Sequence, residues 1–188
     1  MPRTGLSPEA VVTAAIDVLD ERGLDGLTLA AVAERAGVAA PSLYKHVDSL
    51  GELRSRVAAR LLADLTERLR TAVIGRSGDD AVIALMRSYR AYVLEHPQRY
   101  AAVPPDPLHD PALSTVGARL LDVVVAVLRS YDLDEADAIH VVRCLRAAVH
   151  GFASIEASGG FGLSENVDET YDRLIRMFLD TLPNRPRT

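Results

Sequence analysis

Thr28-Leu29-Ala30-Ala31-Val32-Ala33-Glu34-Arg35-Ala36-Gly37-Val38-Ala39-Ala40-Pro41-Ser42-Leu43-Tyr44-Lys45-His46-Val47 is the stretch whose reading decides the fold. Leu29, Val32, Ala33 and Ala36 recur at i, i+3, i+4 and i+7, one face of a helix. Thr28 stands where an N-cap hydroxyl accepts from an unpaired backbone N–H. Gly37 follows the last apolar position, where a left-handed residue ends a helix at least cost. Val38 turns inward, and a second short helix begins near Pro41, with Leu43 and Val47 continuing an apolar face at i, i+4. Two short helices joined by a glycine turn form a helix-turn-helix, whose second helix enters the DNA major groove. An ordinary αα-hairpin in an all-helical core has the same spacing, so periodicity alone leaves both readings open.

The outward face of the second helix separates them. Ala39, Ala40, Pro41 and Ser42 are small, so its N-terminus can press close to base edges. Pro41 is tolerated because first-turn N–H groups have no intrahelical partner. Tyr44, Lys45 and His46 then offer a phenol, an ammonium and an imidazole, from which a core hairpin gains nothing. The run Gly37–Val47, with Leu53 two turns on and Gly23-Leu24-Asp25-Gly26-Leu27-Thr28 ahead of it, resembles the signature of TetR-type transcriptional regulators. The resemblance covers roughly the first third of the chain and is continuous, which makes it more specific than a lone motif. Leu50 departs from the pattern, since the family commonly places there a lysine that meets the DNA backbone. Ala30 stands where many members carry a polar residue. Both departures imply fewer phosphate contacts.

The composition is 48% hydrophobic and 25% charged, the balance of a soluble globular protein, and 188 residues suffice for a substantial core. A single cysteine excludes an intrachain disulfide and fits a reducing cytosol. No signal peptide is visible, and the longest apolar run, Leu120 to Leu128 broken by Asp122, is too short for a bilayer, which needs ~20 residues. These readings place the chain in the cytoplasm, away from membranes. Its net charge of −5 argues against indiscriminate nucleic-acid binding. The first sixty residues hold seven Lys/Arg against eight Asp/Glu, a net of −1. Cations for DNA must therefore be placed locally, with Arg3, Lys45, Arg54 and Arg56 as candidates.

Working outward, Ser7-Pro8-Glu9 opens a first helix with Val12, Ala15, Ile16 and Leu19 buried, and Gly23 ends it. Ser49-x-x-Glu52 is a capping box that starts a long helix over about 50–73, striped by Leu53, Val57, Leu61, Leu65 and Leu69. Gly75–Asp80 is a linker, and Val82, Leu85, Met86, Tyr89 and Val93 face one side of the next helix, which stops at His96-Pro97. Pro104-Pro105-Asp106-Pro107 cannot be helix interior. A helix over 112–130, apolar nearly all round from Leu120 to Leu128, should lie at the centre of a body. Asp134 opens a long helix with Ile139, Val142, Leu145, Val149 and Phe152 inward, and Asn166-x-x-Glu169 opens the last. No strand-like alternation of useful length occurs. The expected class is all-α with about nine helices: a DNA-binding head over 1–50 and an effector-binding, dimerising body over 51–188. By resemblance, the last two long helices pair with their copies in a second subunit, the helix over about 50–73 couples body to head, and two heads read a near-palindromic operator.

No nucleophile motif accompanies His46, His96, His109, His140 or His150, so no catalytic residue and no enzyme activity is expected. His140 and Cys144 stand at the i, i+4 spacing of metal ligands, but closed zinc sites want four, and a small buried Cys144 is the plainer reading. No metal and no cofactor is expected. The DNA-facing set is Thr28, Ala40, Pro41, Ser42, Tyr44, Lys45 and His46. Ser42 and Lys45 suit base edges, and Ala40 and Pro41 a thymine methyl. Tyr44, His46 and the N-terminus of the Thr28 helix suit phosphates. His96-Pro97 and His150-Gly151 resemble landmarks of one TetR C-terminal class, with Val149 where a tryptophan often stands. Met86, Tyr89, Tyr92, Val93, Cys144, Val149 and Phe152 are the candidates for an apolar effector pocket between helices, with Arg90, His96, Arg119 and Arg143 nearby hinting at an anion. The function expected from the resemblance is a homodimeric repressor released from its operator by a small molecule. The alternative is a helical sensor with degenerate DNA recognition.

Overall fold

The computed structural model describes residues 6–183. Arg3, expected on an N-terminal arm, lies outside them. The described chain is all helical, with eight α-helices, two 3₁₀ segments and no strand: α1 (Pro8–Gly26), α2 (Leu29–Ala36), a 3₁₀ segment (Ala40–Lys45), α3 (Leu50–Val73), α4 (Gly78–Glu95), α5 (Pro97–Ala101), α6 (Ser114–Leu128) with a 3₁₀ turn (Arg129–Tyr131), α7 (Glu135–Ala157) and α8 (Val167–Asp180). Most boundaries are set by local chemistry. The Ser7, Thr28 and Asp134 side chains accept from the N–H of Ala10, Ala31 and Asp137, and Asn166 accepts from both Asp168 and Glu169. At Ser49 the hydroxyl accepts from Glu52 N–H at 3.0 Å, while the Glu52 carboxylate reaches back to Asp48 N–H at 2.6 Å. The return bond therefore lands one residue ahead of the cap, a variant of the capping box.

The contacts group the chain into two compact units. One holds the residues through Ala63 together with Gln98–Gly117. Its core gathers Val11, Ala15, Leu19, Leu27, Val32, Leu43, Val47, Leu53, Val57 and Leu61, all buried. Ala102 and Val103 pack against the same cluster. Helix α5 is bound to α1 by Arg99, whose Nε and Nη2 donate to the Asp20 carboxylate at 2.8 and 2.6 Å. Gly23, with φ 69°, breaks α1 where expected, and a Cβ there would meet Gln98 Oε1 at 3.1 Å. Glycine is required twice over, by the backbone and by the close approach.

The second unit holds Asp64–Pro97 and the residues from Ala118 onward. Helix α4 packs against α7 and α8. It buries Val82, Leu85, Met86, Tyr89, Tyr92 and Val93. The Tyr131 hydroxyl donates to Asp79 at 2.7 Å, and Gly78 N–H donates to Ser130 Oγ at 3.2 Å, fixing the end of α6 to the start of α4. Two expectations change. Of its large apolar side chains helix α6 buries Val124, Val127 and Leu128, leaving Leu120, Leu121, Val123 and Val125 half-buried, so it is not enclosed within this chain. Ile139, expected inward on α7, is 45% exposed because it lies in the first turns, before the buried positions Leu145, Val149 and Ala153.

Glu21, Glu67, Glu95 and Glu169 are held below the ordinary carboxylate pKa chiefly by hydrogen bonds from Arg35, Arg70, Arg68 and Arg173, and Glu52 chiefly by the Asp48 N–H. A depressed native pKa gives stability that is complete above the unfolded value and lost as acid protonates the folded pair. The urea midpoint should therefore hold steady from neutral pH to about 5.5 and fall progressively below about 4.5. A midpoint that rises on acidification would contradict these pairs.

Candidate nucleic-acid interface

Helix α2 is short and amphipathic, with Ala31, Val32 and Ala33 buried. Gly37 closes it in the left-handed region at φ 66°, and its N–H bonds back to the carbonyls of Ala33 and Glu34. Nothing lies within 4 Å of a Cβ built there, so glycine serves the backbone alone. The expected second helix of the pair is a 3₁₀ segment over Ala40–Lys45, with Ser42 N–H donating to Ala39 O and His46 N–H to Leu43 O, both at 2.8 Å. Three residues per turn give it three edges. Leu43, fully buried, lies on the inner one, and Val47 follows it into the core. Pro41 and Tyr44 share a second edge, Ser42 and Lys45 a third. Tyr44 is 58% exposed, Ala40, Pro41 and Lys45 are exposed, and Ser42 and His46 are half-buried. Thr28 is exposed at the start of α2, its hydroxyl engaged in the cap.

The cations of this unit are mostly spoken for. Arg22 pairs with Glu34 at 3.3 Å, Arg35 with Glu21, and Arg99 with Asp20. Arg56, expected to meet phosphate, instead donates to His46 O at 2.8 Å and to Glu52 at 2.6 Å, bracing the end of the 3₁₀ segment against α3. The sequence hid this because Glu52 and Arg56 form an i, i+4 pair that also reaches a carbonyl ten residues back. Lys45 and Arg54 are exposed and have no ion pair among the described residues. Lys45 is also the only lysine in the sequence. Leu50, at the position of the family's phosphate-contacting lysine, is half-buried, and Ala30 is exposed.

The expected effector residues divide. Met86, Tyr89, Tyr92, Val93 and Val149 are buried side chains of the second unit's core. Phe152 is half-buried, its ring 4.7 Å from Phe161 and 4.9 Å from Tyr171. Cys144 is exposed on α7 and does not join them, nor is it the small buried hydrophobe of the plainer reading. His140 is exposed on the same helix, and no cluster of three metal-ligating side chains occurs among the described residues. Arg90, read from the sequence as hinting at an anion, has carboxylate partners that periodicity did not find. Its Nε and Nη2 hold Glu156 of α7 at 2.6 and 2.5 Å, and Nη1 meets Asp168 of α8 at 2.7 Å. Its guanidinium lies 4.8 Å from the Tyr171 ring centre, and the Tyr171 hydroxyl donates to Met86 O at 2.6 Å. The paired carboxylates hold Arg90 above its ordinary pKa, and burial raises Tyr171 likewise. No helix among the described residues is long and apolar enough to cross a membrane.

A buried scaffold presenting a small, outward-facing 3₁₀ segment after a glycine turn defines a helix-turn-helix DNA-binding protein. The family model for bacterial regulatory proteins of the tetR family matches residues 11–53, and that for the tetracyclin repressor-like C-terminal domain matches residues 82–178. The chain belongs to the TetR family of transcriptional regulators. An uncharacterized HTH-type transcriptional regulator of Mycobacterium tuberculosis is 40% identical over 156 residues, 82% of this chain and 72% of the relative. Another, YobS of Bacillus subtilis, is 33% identical over 182 residues, covering 96% and 95%. Among solved structures, a protein with unknown function from Rhodococcus sp. RHA1 superposes with a TM-score of 0.82 at 25% identity, covering 97% of this chain and 98% of that one. A TetR protein of Acinetobacter baumannii in complex with minocycline shares the fold, with a TM-score of 0.71 at 20% identity, covering 93% and 95%. The relatives are regulators of transcription, not enzymes.

Proposed function

We propose that this regulator is a homodimeric repressor released from a near-palindromic operator by a small-molecule effector. Residues 1–50 form the reading head and 51–188 the effector and dimerisation body, with α3 linking them. The observation that carries the reading is the outward display of Tyr44 and Lys45 on a segment whose Leu43 is locked into the core. Tyr44, His46 and the free N–H groups at Thr28 hold phosphates, and Ser42 and Lys45 read base edges beside Ala40 and Pro41. Dimerisation through α7 and α8 follows the family resemblance, and Met177, 66% exposed on α8, is an apolar side chain that such a contact would cover. Effector control is supported by the fold shared with a minocycline-bound TetR protein, and the mechanism is a population shift toward a body conformation that separates the heads. Binding to operator DNA implies a cytoplasmic protein.

Electrophoretic shift on operator DNA selected from a random pool tests the reading, with apolar ligands titrated in. Among the described residues Lys45 and Arg54 are cations near the reading segment with no ion pair, giving four per dimer, so log K against log salt should fall with a slope of about −3 to −4. The commitment of Arg56 and the replacement at Leu50 favour the second reading, a sensor with degenerate DNA recognition, and binding to no DNA at low salt would select it.

A further inference from the structure

We propose that a cleft between α4 and α8 binds a small organic carboxylate with an apolar body, whose carboxylate replaces Asp168 on Arg90; that this ligand is the effector rests on the regulatory reading above. The cleft is a solvent-open groove of about 350 Å³. Arg90 is oriented before any ligand arrives. Its inner edge is fixed by two bonds to Glu156, and its face is stacked on Tyr171. Its outer nitrogen Nη1 holds Asp168, which lines the cleft with it and is a carboxylate 79% exposed. Such an exposed partner contributes little and is readily displaced. One turn earlier on α4, Arg87 pairs with Asp172 by a single contact of 2.9 Å, and both are about half exposed.

The cleft thus offers two guanidinium groups, each closed by a carboxylate that water already competes for. Ala91 and Leu94, the latter 38% exposed, line it with apolar surface. Nη1 offers one charge-assisted hydrogen bond to a carboxylate oxygen, and the apolar lining supplies what Asp168 cannot, contact with a hydrocarbon body. A cation would face both arginines. A neutral carbonyl could accept from Nη1, but it forms the weaker bond because it brings no charge in place of that of Asp168. Met177, nine residues beyond Asp168, falls on the opposite side of α8, so the surface assigned to dimerisation leaves this cleft open.

Calorimetric titration of the full-length protein with benzoate, octanoate, benzamide and inorganic phosphate tests the proposal. Benzoate or octanoate should bind, and benzamide and phosphate should each be weaker than either carboxylate. Asp168→Ala removes the internal competitor and should tighten carboxylate binding by about two- to fivefold. Arg87→Gln should weaken it. Tightening in Asp168→Ala is an effect that damage to the fold does not produce. Equal binding of benzamide, phosphate as tight as the carboxylates, unchanged or weaker affinity in Asp168→Ala, or no binding of either carboxylate overturns the site. If carboxylates bind as described but leave operator affinity unchanged, the effector reading fails while the site stands. If compounds release DNA equally from the parent and Asp168→Ala proteins, and none is a carboxylate, the site fails while the effector reading stands.

Discussion

The double variant Tyr44→Ala/Lys45→Ala is expected to lose operator affinity by about 10²- to 10⁴-fold, from roughly 1–3 kcal/mol for each contact at each of two heads with partial additivity. Its thermal midpoint should stay where it was, because both side chains are exposed and the fold is anchored by Leu43 and Val47. The single variants should differ in kind. Tyr44→Ala removes a phosphate contact and should weaken all sequences alike, whereas Lys45→Ala should also relax preference at the base it reads. The sole lysine gives an independent measurement. An amine-directed acylating reagent has one side-chain target, Lys45, and operator DNA should slow its modification while a scrambled duplex at the same concentration does not. Full affinity in the double variant, or Lys45 acylated at the same rate with and without operator, would remove the reading segment from the interface.

What the sequence told and what it withheld divide along the range of the interactions. Thr28, Gly37, Ser49, Asp134 and Asn166 act within a few residues of themselves, and each helix boundary they imply is where the structure has it. Leu43 and Val47 were legible as an inward edge because apolar spacing reports the face of an element directly. Periodicity does not report what covers a face. Helix α6 reads as central from its composition, yet Leu120, Leu121, Val123 and Val125 are only half covered within one chain. The grouping of Gln98–Gly117 with α1, α2 and the first half of α3 comes from contacts such as Arg99 with Asp20, 79 residues apart, and Ala102 and Val103 on the core, which no local pattern encodes. Arg90 and Arg56 show the same limit for charge. In sequence Arg56 reads as a cation for DNA and Arg90 as one for an anion near the effector pocket, and each is tied down by partners that only the folded chain assembles.

The largest stability effect is expected at Arg90. Its side chain is 13% exposed and that of Glu156 17%, so replacing Arg90 by methionine strands a carboxylate where water hardly reaches it. Breaking one side of a fully buried pair costs about 3–5 kcal/mol, because the remaining charge keeps its desolvation penalty and loses its partner, and for this half-buried pair the loss should fall below that range. The stacking over Tyr171 is lost as well, although a methionine thioether retains part of that contact. Asp168, being 79% exposed, adds little, so Asp168→Ala should leave the urea midpoint nearly unchanged. The decisive comparison is Arg90→Met/Glu156→Leu. Removing both charges leaves no stranded group, and the double variant should recover most of what the single one lost. Recovery separates the two accounts of Arg90. If the residue acts by its bulk and its ring contacts, the double variant will be at least as unstable as Arg90→Met, and the ion pair to α7 is then incidental. If it acts by neutralising Glu156, stability returns without it, and the arginine is retained for the nitrogen that holds Asp168 at the cleft.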